Sequence, residues 1–342
     1  KKKKNKKAKS FLTAATLTLS SGAMMVAAAN AQAATSLRLA HTFNPGEASY
    51  ELLNTLGDRV EERTNGELKI QVFPSEQLGS EVQLLQQSKN GSVDIVVPGY
   101  SGASTLLPAM EISNAPFIFQ SWDEARHILE GEAYQPIFDE LKEQHNLVPL
   151  AKTWYWGWRN LTFNGDEVHS VEDMKGLKVR VPESPAWVEM VKAFDASPTP
   201  IPFSEVYLAL QQGTVDGQEN PIPTIYSRKF YEVQDQLVMS KHMLQSQVVL
   251  MNSQKFESLS DSNQEILREV VQELAQENYE LQTEREASML EELRAGGQIN
   301  VIEDIDRASF EQASEIAREN LVDRWGEEDY RRVMTAIEDY RN

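Results

Sequence analysis

Residues 176–221, GLKVRVPESPAWVEMVKAFDASPTPIPFSEVYLALQQGTVDGQENP, decide how the chain is organised. Leu177, Val179 and Val181 point to one side of a short strand and Lys178 and Arg180 to the other, because successive strand side chains alternate. Pro182 ends that strand. DASPTP at 195–200 is expected to be a loop, since prolines two apart exclude helix and favour extended backbone. Ser204 then caps a helix with Tyr207, Leu208 and Leu210 on its buried side, and Gly213 stops it before a strand over 215–218. The order strand, helix, helix, strand makes an α/β unit. Arg180, Glu183, Phe203 and Asn220 fall near its strand ends and loops, where ligands of open α/β sheets sit.

Upstream, SLRLAH at 36–41 is a strand, and NPG at 44–46 turns into an amphipathic helix carrying Tyr50, Leu53, Leu56 and Val60 on one face. LKIQVF at 68–73 is a second strand. A helix with Val82 and Leu85 follows, Asn90-Gly91 stops it, and VDIVV at 93–97 is a strand apolar enough to be central. This βαβαβ order implies a parallel sheet with right-handed crossovers, so the loops after its strands gather on one edge. They hold His41, Gln77 beside Glu76, and Tyr100. None is specific alone: His41 also suits packing at a strand end, and Tyr100 suits either role.

The stretch 148–163 contains WYWGWRN at 154–160, extended and aromatic. Alternation puts Trp154, Trp156 and Trp158 on one face and Tyr155, Gly157 and Arg159 on the other. Such a stripe is usually core or interdomain packing. Residues 245–251 form an apolar β segment returning to the first sheet. After the cap signal SLSD at 258–261 the pattern is helical to Arg294, with Leu267, Val270, Val271, Leu274 and Leu281 as its stripe, and Gly296-Gly297 stops it. About 35 residues reach roughly 50 Å, enough to run across two domains. A coiled-coil dimer is the competing reading, weakened because the stripe fades after Leu281. Phe310, Ile316, Leu321, Trp325, Val333 and Ile337 are expected to finish the packing.

Three segments in register, GLKVRVPES, ASPTPIPFSEVYLALQQGTVDGQENP and KFYEVQDQLVMSKHM, resemble the solute-binding proteins of TRAP transporters, the tripartite ATP-independent periplasmic importers of organic acids, also called the DctP family. The resemblance runs from about Leu37 to the C-terminus. It implies an α/β, two-domain periplasmic-binding-protein-like fold, with a central sheet in each domain, crossover strands and a long helix spanning both. It also implies a ligand cleft between domain I, 34–155 plus about 246–285, and domain II, 156–245 plus about 286–342.

Arg180 on spacing alone is a solvated strand-face arginine beside Lys178. The match of LKVRVP to the family's signature arginine makes it the carboxylate ligand, its planar fork giving two parallel hydrogen bonds that a lysine cannot. The resemblance aligns Arg159 with a second arginine that helps contact the carboxylate, Phe203 with a ring against the ligand, and Asn220 with an amide that donates to it; Gln218 and Glu219 are weaker candidates. Glu183 faces the distal part of the ligand in that alignment, although it also suits a first-turn acid favoured by the helix dipole. A carboxylate there suits hydroxyls or an amine, which points to a sugar acid or uronate-like polyhydroxy acid. Trp187 could stack on a sugar face. The membrane subunits of the transporter are the implied partners.

Composition bounds the alternatives. The 342 residues carry no cysteine, so disulfide and thiolate chemistry are absent. Residues 1–33 join a lysine-rich start, an apolar run over 11–29 and Ala31-Gln32-Ala33, the pattern of a cleavable secretory signal peptide, which places the mature protein in the periplasm. Without them, 26 basic side chains face 52 acidic ones, a net charge of −26. That argues against nucleic acid and against anionic membrane surfaces as partners. Gly99-Tyr100-Ser101-Gly102 lacks the last glycine of a nucleophile elbow, and no phosphate loop or G-x-G-x-x-G occurs. The five histidines lack metal-ligand spacing. No catalytic residue, metal or cofactor is expected, and a monomer is. A periplasmic hydrolase or lyase, and a ligand-sensing partner of a signalling receptor, are the other readings.

Overall fold

The computed structural model describes residues 34–342, which form one compact unit; the signal-peptide reading lies outside the described residues. Nine strands run in the order β2-β1-β3-β8-β4-β7-β5-β6, with β9 on β8. The strands are β1 Thr35–Ala40, β2 Leu68–Phe73, β3 Ile95–Val96, β4 Leu147–Phe163, β5 Lys178–Val181, β6 Ser197–Pro200, β7 Gly217–Pro221, β8 Gln236–Asn252 and β9 Asn300–Ile302. The first half pairs β2, β1 and β3 in parallel, as the alternation of strands and helices requires. In the second half β7, β5 and β6 are parallel. Two antiparallel strands of 17 residues each, β4 and β8, run through both halves and join them into one ladder.

One apolar core runs across both halves, from Leu85 and Val96 to Val179 and Met190, and each half adds a smaller one of its own. Leu37 and Leu39 of β1 bury completely with Leu53, Leu56 and Val60 of the helix Ala48–Arg63, each leucine contributing about 1.5–3 kcal/mol. The second half closes around Val206, Leu210, Ile222, Ile225 and Phe230. The helix Asp261–Gly296 spans both. Ser260 caps it by accepting from Asn263 N, and Gly297 ends it in the left-handed region at φ +62°. Its stripe Leu267, Val270, Val271 and Leu274 packs on the first half, and Leu293 reaches the second core. Between them Asn278 Nδ2 donates to Tyr155 O at 2.7 Å and Gln282 Nε2 to Trp156 O at 3.1 Å, so mid-helix amides hold β4 where it passes from one half to the other.

Several local expectations fail for physical reasons. DASPTP is not a loop throughout: Ser197–Pro200 is edge strand β6, where the missing proline donors cost no ladder bond. Leu208 is 52 % exposed and Val206 and Ala209 take its place inside, and Ile316 is 56 % exposed beside buried Phe310 and Ala317. The three tryptophans do not share a face. Register shifts interrupt β4 between Ala151 and Trp154 and between Tyr155 and Gly157, and Gly157 sits at φ +130°. A bulge reverses alternation, so Trp154 enters the first core and donates from Nε1 to Ser49 Oγ at 2.8 Å, whereas Trp156 turns to the cleft.

Candidate ligand site

Arg180 lies in β5 next to its last residue, Val181, and is buried at 3 % exposure. Nε and Nη2 donate to Ile201 O, just past β6, at 3.0 and 2.8 Å. Among the described residues no carboxylate pairs with it and Nη1 has no acceptor. Burial pulls its pKa down to about 10, the mark of a cation short of counter-charge. The Phe203 ring lies between two guanidinia, with Arg180 Cζ at 5.8 Å and Arg228 Cζ at 4.3 Å from its centroid. Arg228 is paired with Glu47 at 3.3 Å and donates to Thr42 O at 2.9 Å, so it ties the helix Ile222–Ser227 to the start of the helix Ala48–Arg63.

Arg159 on β4 is provided for differently. The ladder places Arg159 opposite Pro221 and Asn160 opposite Asn220 on β7. Its fork meets Glu219 through Nε to Oε2 and Nη2 to Oε1, the second at 2.7 Å; Nη2 also reaches Asn220 Oδ1 at 3.0 Å, and Nη1 donates to Gln245 Oε1. Burial works to raise the Glu219 pKa, but the Arg159 charge and the hydrogen bonds from His242 and Arg159 outweigh it and hold the carboxyl below its ordinary value. Burial in turn lowers His242, which faces Glu219 Oε2 at 3.2 Å. Asn220 directs its Nδ2 to Gln218 Oε1 at 2.5 Å.

Arg180, Arg159, Phe203, Asn220 and Glu183 line one cavity of about 60 Å³. The other proposed residues lie elsewhere. Trp187 is completely buried, its Nε1 donating to Glu219 Oε1 at 2.8 Å: it supports the Arg159 pair from below instead of stacking on a ligand. Tyr100 is core, packed edge-on against Tyr134 and donating its hydroxyl to Lys152 O at 2.6 Å. His41 is buried against Phe43 and Tyr50, with its pKa lowered by burial to about 3. Gln77 is exposed outside the cavity, and its neighbour Glu76 lines it.

Sequence reasoning missed Trp156, Ser184, Gln245 and Glu81 among the lining residues. Glu81 is half-buried overall, but its carboxyl end is enclosed: Gly99 N donates to it at 2.5 Å and burial raises its pKa to about 7. The Q-L-G-S-E run at 77–81, whose Ser80 forms a capping box with Gln83 just beyond it, was the available signal. A larger hollow of about 630 Å³ runs along β4 at 148–153. Three of its cations are already engaged, Lys142 on Glu257 at 2.8 Å, Arg126 on Asp123 at 3.7 Å and Lys152 on Gln135 at 2.7 Å. It shares no residue with the arginine pair.

The family model of bacterial extracellular solute-binding proteins, family 7, named DctP, matches residues 39–323. The chain belongs to this family. The sialic acid-binding periplasmic protein SiaP of Vibrio cholerae is 38 % identical over 290 residues, 85 % of this chain and 88 % of that one. A TRAP periplasmic solute-binding protein from Polaromonas, solved with D-erythronate, superposes with a TM-score of 0.82 at 30 % identity, covering 88 % of this chain and 98 % of that one. One from Sulfurospirillum deleyianum, solved with succinate, gives 0.80 at 29 %, covering 88 % and 98 %. The two-domain α/β architecture is therefore that of the DctP family of solute-binding proteins. Among the described residues of this DctP-family chain, no helix is long and apolar enough to cross a membrane.

Proposed function

We propose that the protein captures a small organic acid in the periplasm, with the ligand carboxylate on Arg180, and delivers it to the membrane subunits of a TRAP transporter without transforming it. The supporting observation is the contrast between the two arginines. Arg159 has its counter-charge in Glu219, whereas Arg180 is as deeply buried and, among the described residues, has no carboxylate at ion-pair distance. A buried, unpaired guanidinium is costly unless an anion completes it. The ligand we propose is a sugar acid or uronate-like polyhydroxy acid, supported by Glu76, Glu81 and Glu183 around the same cavity and by the sialic acid and erythronate of the relatives. Succinate in another relative keeps dicarboxylates within the family's range.

Export through a cleaved leader at 1–33 fits the periplasmic family. Domain I is 34–155 plus about 246–285 and domain II is 156–245 plus about 286–342, hinged where β4 and β8 cross. The test is a thermal-shift and calorimetric screen of organic and sugar acids. A tight ligand raises the melting temperature by mass action. Turnover of the bound acid, or an acid bound equally by Arg180→Ala, rejects the reading.

A further inference from the structure

Glu111 lies in the 3-10 turn Pro108–Asn114 and is fully buried. Its carboxylate accepts from Ser184 Oγ, from Ala186 N at 3.2 Å, from Trp325 Nε1 at 3.1 Å and from Ser104 Oγ at 3.4 Å, with Arg324 Nε at 3.9 Å. Ser184 is the N-cap of the helix Pro185–Ala193, and Ala186 is in its first turn. The first turn of a helix offers free N–H groups and partial positive charge, a natural berth for an acid group. Here Glu111 already fills that berth from inside the protein. Ser184 lines the cavity, and Glu111 stands behind it.

This arrangement fixes what the cavity wall can do. Ser184 has one hydroxyl proton and gives it to Glu111, so toward a ligand it can only accept. Glu183 beside it, and Glu76 on the same cavity, are acceptors when ionised. Beyond Arg180 a ligand therefore meets acceptors and negative charge, and the helix end that could have neutralised a second acid group is already occupied.

We propose that Glu111, acting through Ser184 and the start of this helix, is a positioning residue that selects acids with one carboxylate and with hydroxyl or ammonium donors at the far end, and rejects acids carboxylated at both ends. The inference rests on the reading of Arg180 as the carboxylate ligand.

Matched pairs of acids test it: galactonate against galactarate, and erythronate against tartrate, each pair equal in carbon number and differing by one terminal carboxylate. Calorimetry on the wild type should favour the monoacid by about a hundredfold. Glu111→Gln should narrow that ratio about tenfold by tightening the diacid, and Glu111→Asp should restore it. A merely structural role would weaken both acids together, and that result overturns the inference. Equal binding of both acids by the wild type overturns it as well, while leaving Arg180 as the carboxylate ligand. A wild type that binds none of the four acids, nor glucuronate or succinate, removes the underlying reading and this inference with it. If Glu111→Gln does not fold, Ser184→Ala decides: loss of the acceptor should weaken the monoacid about tenfold and spare the diacid, and equal losses overturn the proposal.

Discussion

Arg159 and Glu219 meet across the β4–β7 ladder as a two-bonded ion pair whose side chains are 3 % and 0 % exposed. Trp187 Nε1 and His242 Nε2 face the same carboxylate at 2.8 and 3.2 Å. Breaking a buried pair by removing one partner leaves a charge without solvent or counter-charge, at about 3–5 kcal/mol. Glu219→Ala should therefore lower the melting temperature by about 5–8 °C. Scanning calorimetry showing a shift under a degree would mean that the pair is not the buried support described here.

Arg180 should behave in the opposite way. Its removal costs the unliganded protein little, because no carboxylate is orphaned and only the Ile201 carbonyl loses donors. Ligand binding should suffer heavily: truncating one member of a desolvated charge pair costs about 2–5 kcal/mol, or about thirtyfold to several thousandfold in affinity. Arg180→Lys should also bind poorly, since the charge survives but the fork does not. Titration calorimetry beside melting curves separates the two effects, and a large loss of unliganded stability with retained affinity contradicts the assignment.

The distinction between these arginines explains what the sequence could and could not carry. The resemblance carried by LKVRVP and by the proline-rich segment singled out Arg180, Phe203 and Asn220, which line one cavity; strand alternation alone left Arg180 a solvated strand-face residue. Nothing local says that Arg159 is neutralised by Glu219, 60 residues away, or that Gln245 is its third partner, 86 residues away. Trp187 carries a helix-surface signature indistinguishable from a sugar-stacking one, and only the position of Glu219 turns it inward. The tryptophan stripe was misassigned because register shifts in β4 leave no reliable mark except Gly157. Glu111, in a 3-10 turn without periodicity, could not be tied to Ser184 before the chain was folded.

Acid–base behaviour should reveal two buried groups with opposite slopes. Burial raises Glu81 to about 7 against the Gly99 hydrogen bond that lowers it. The folded state thus holds a proton that the unfolded state releases above about 4.5, so the group's stability contribution is complete at low pH and is lost as pH rises to about 7. His41, lowered to about 3, refuses a proton that the unfolded chain accepts below about 6.5, so its contribution is present above that pH and is lost as pH falls toward 3. Unfolding free energy against pH should flatten on the alkaline side in Glu81→Gln and on the acid side in His41→Met. A ligand carboxylate beside Glu81 should also raise its pKa further, so binding near pH 7 should take up a fraction of a proton, measurable as a buffer-dependent calorimetric enthalpy. Unchanged slopes in both variants would place these groups in water.

Gly157 gives the sharpest backbone test. At φ +130° it holds a conformation that side-chain-bearing residues rarely adopt, and an added Cβ would lie 3.1 Å from Pro221 Cβ. Strain of that kind costs about 1–3 kcal/mol. Pro221 pairs with Arg159 in the ladder and follows Asn220, so pushing β7 away from β4 also disturbs the Arg159–Glu219–Asn220 contacts. Gly165, at φ +96° with nothing within 4 Å of its added Cβ, is the control for strain without the clash. Both alanine variants should melt at lower temperature than the wild type, but only Gly157→Ala should also weaken ligand binding. Equal affinities in the two variants would show that the bend in β4 is a matter of fold alone and does not align the arginine pair.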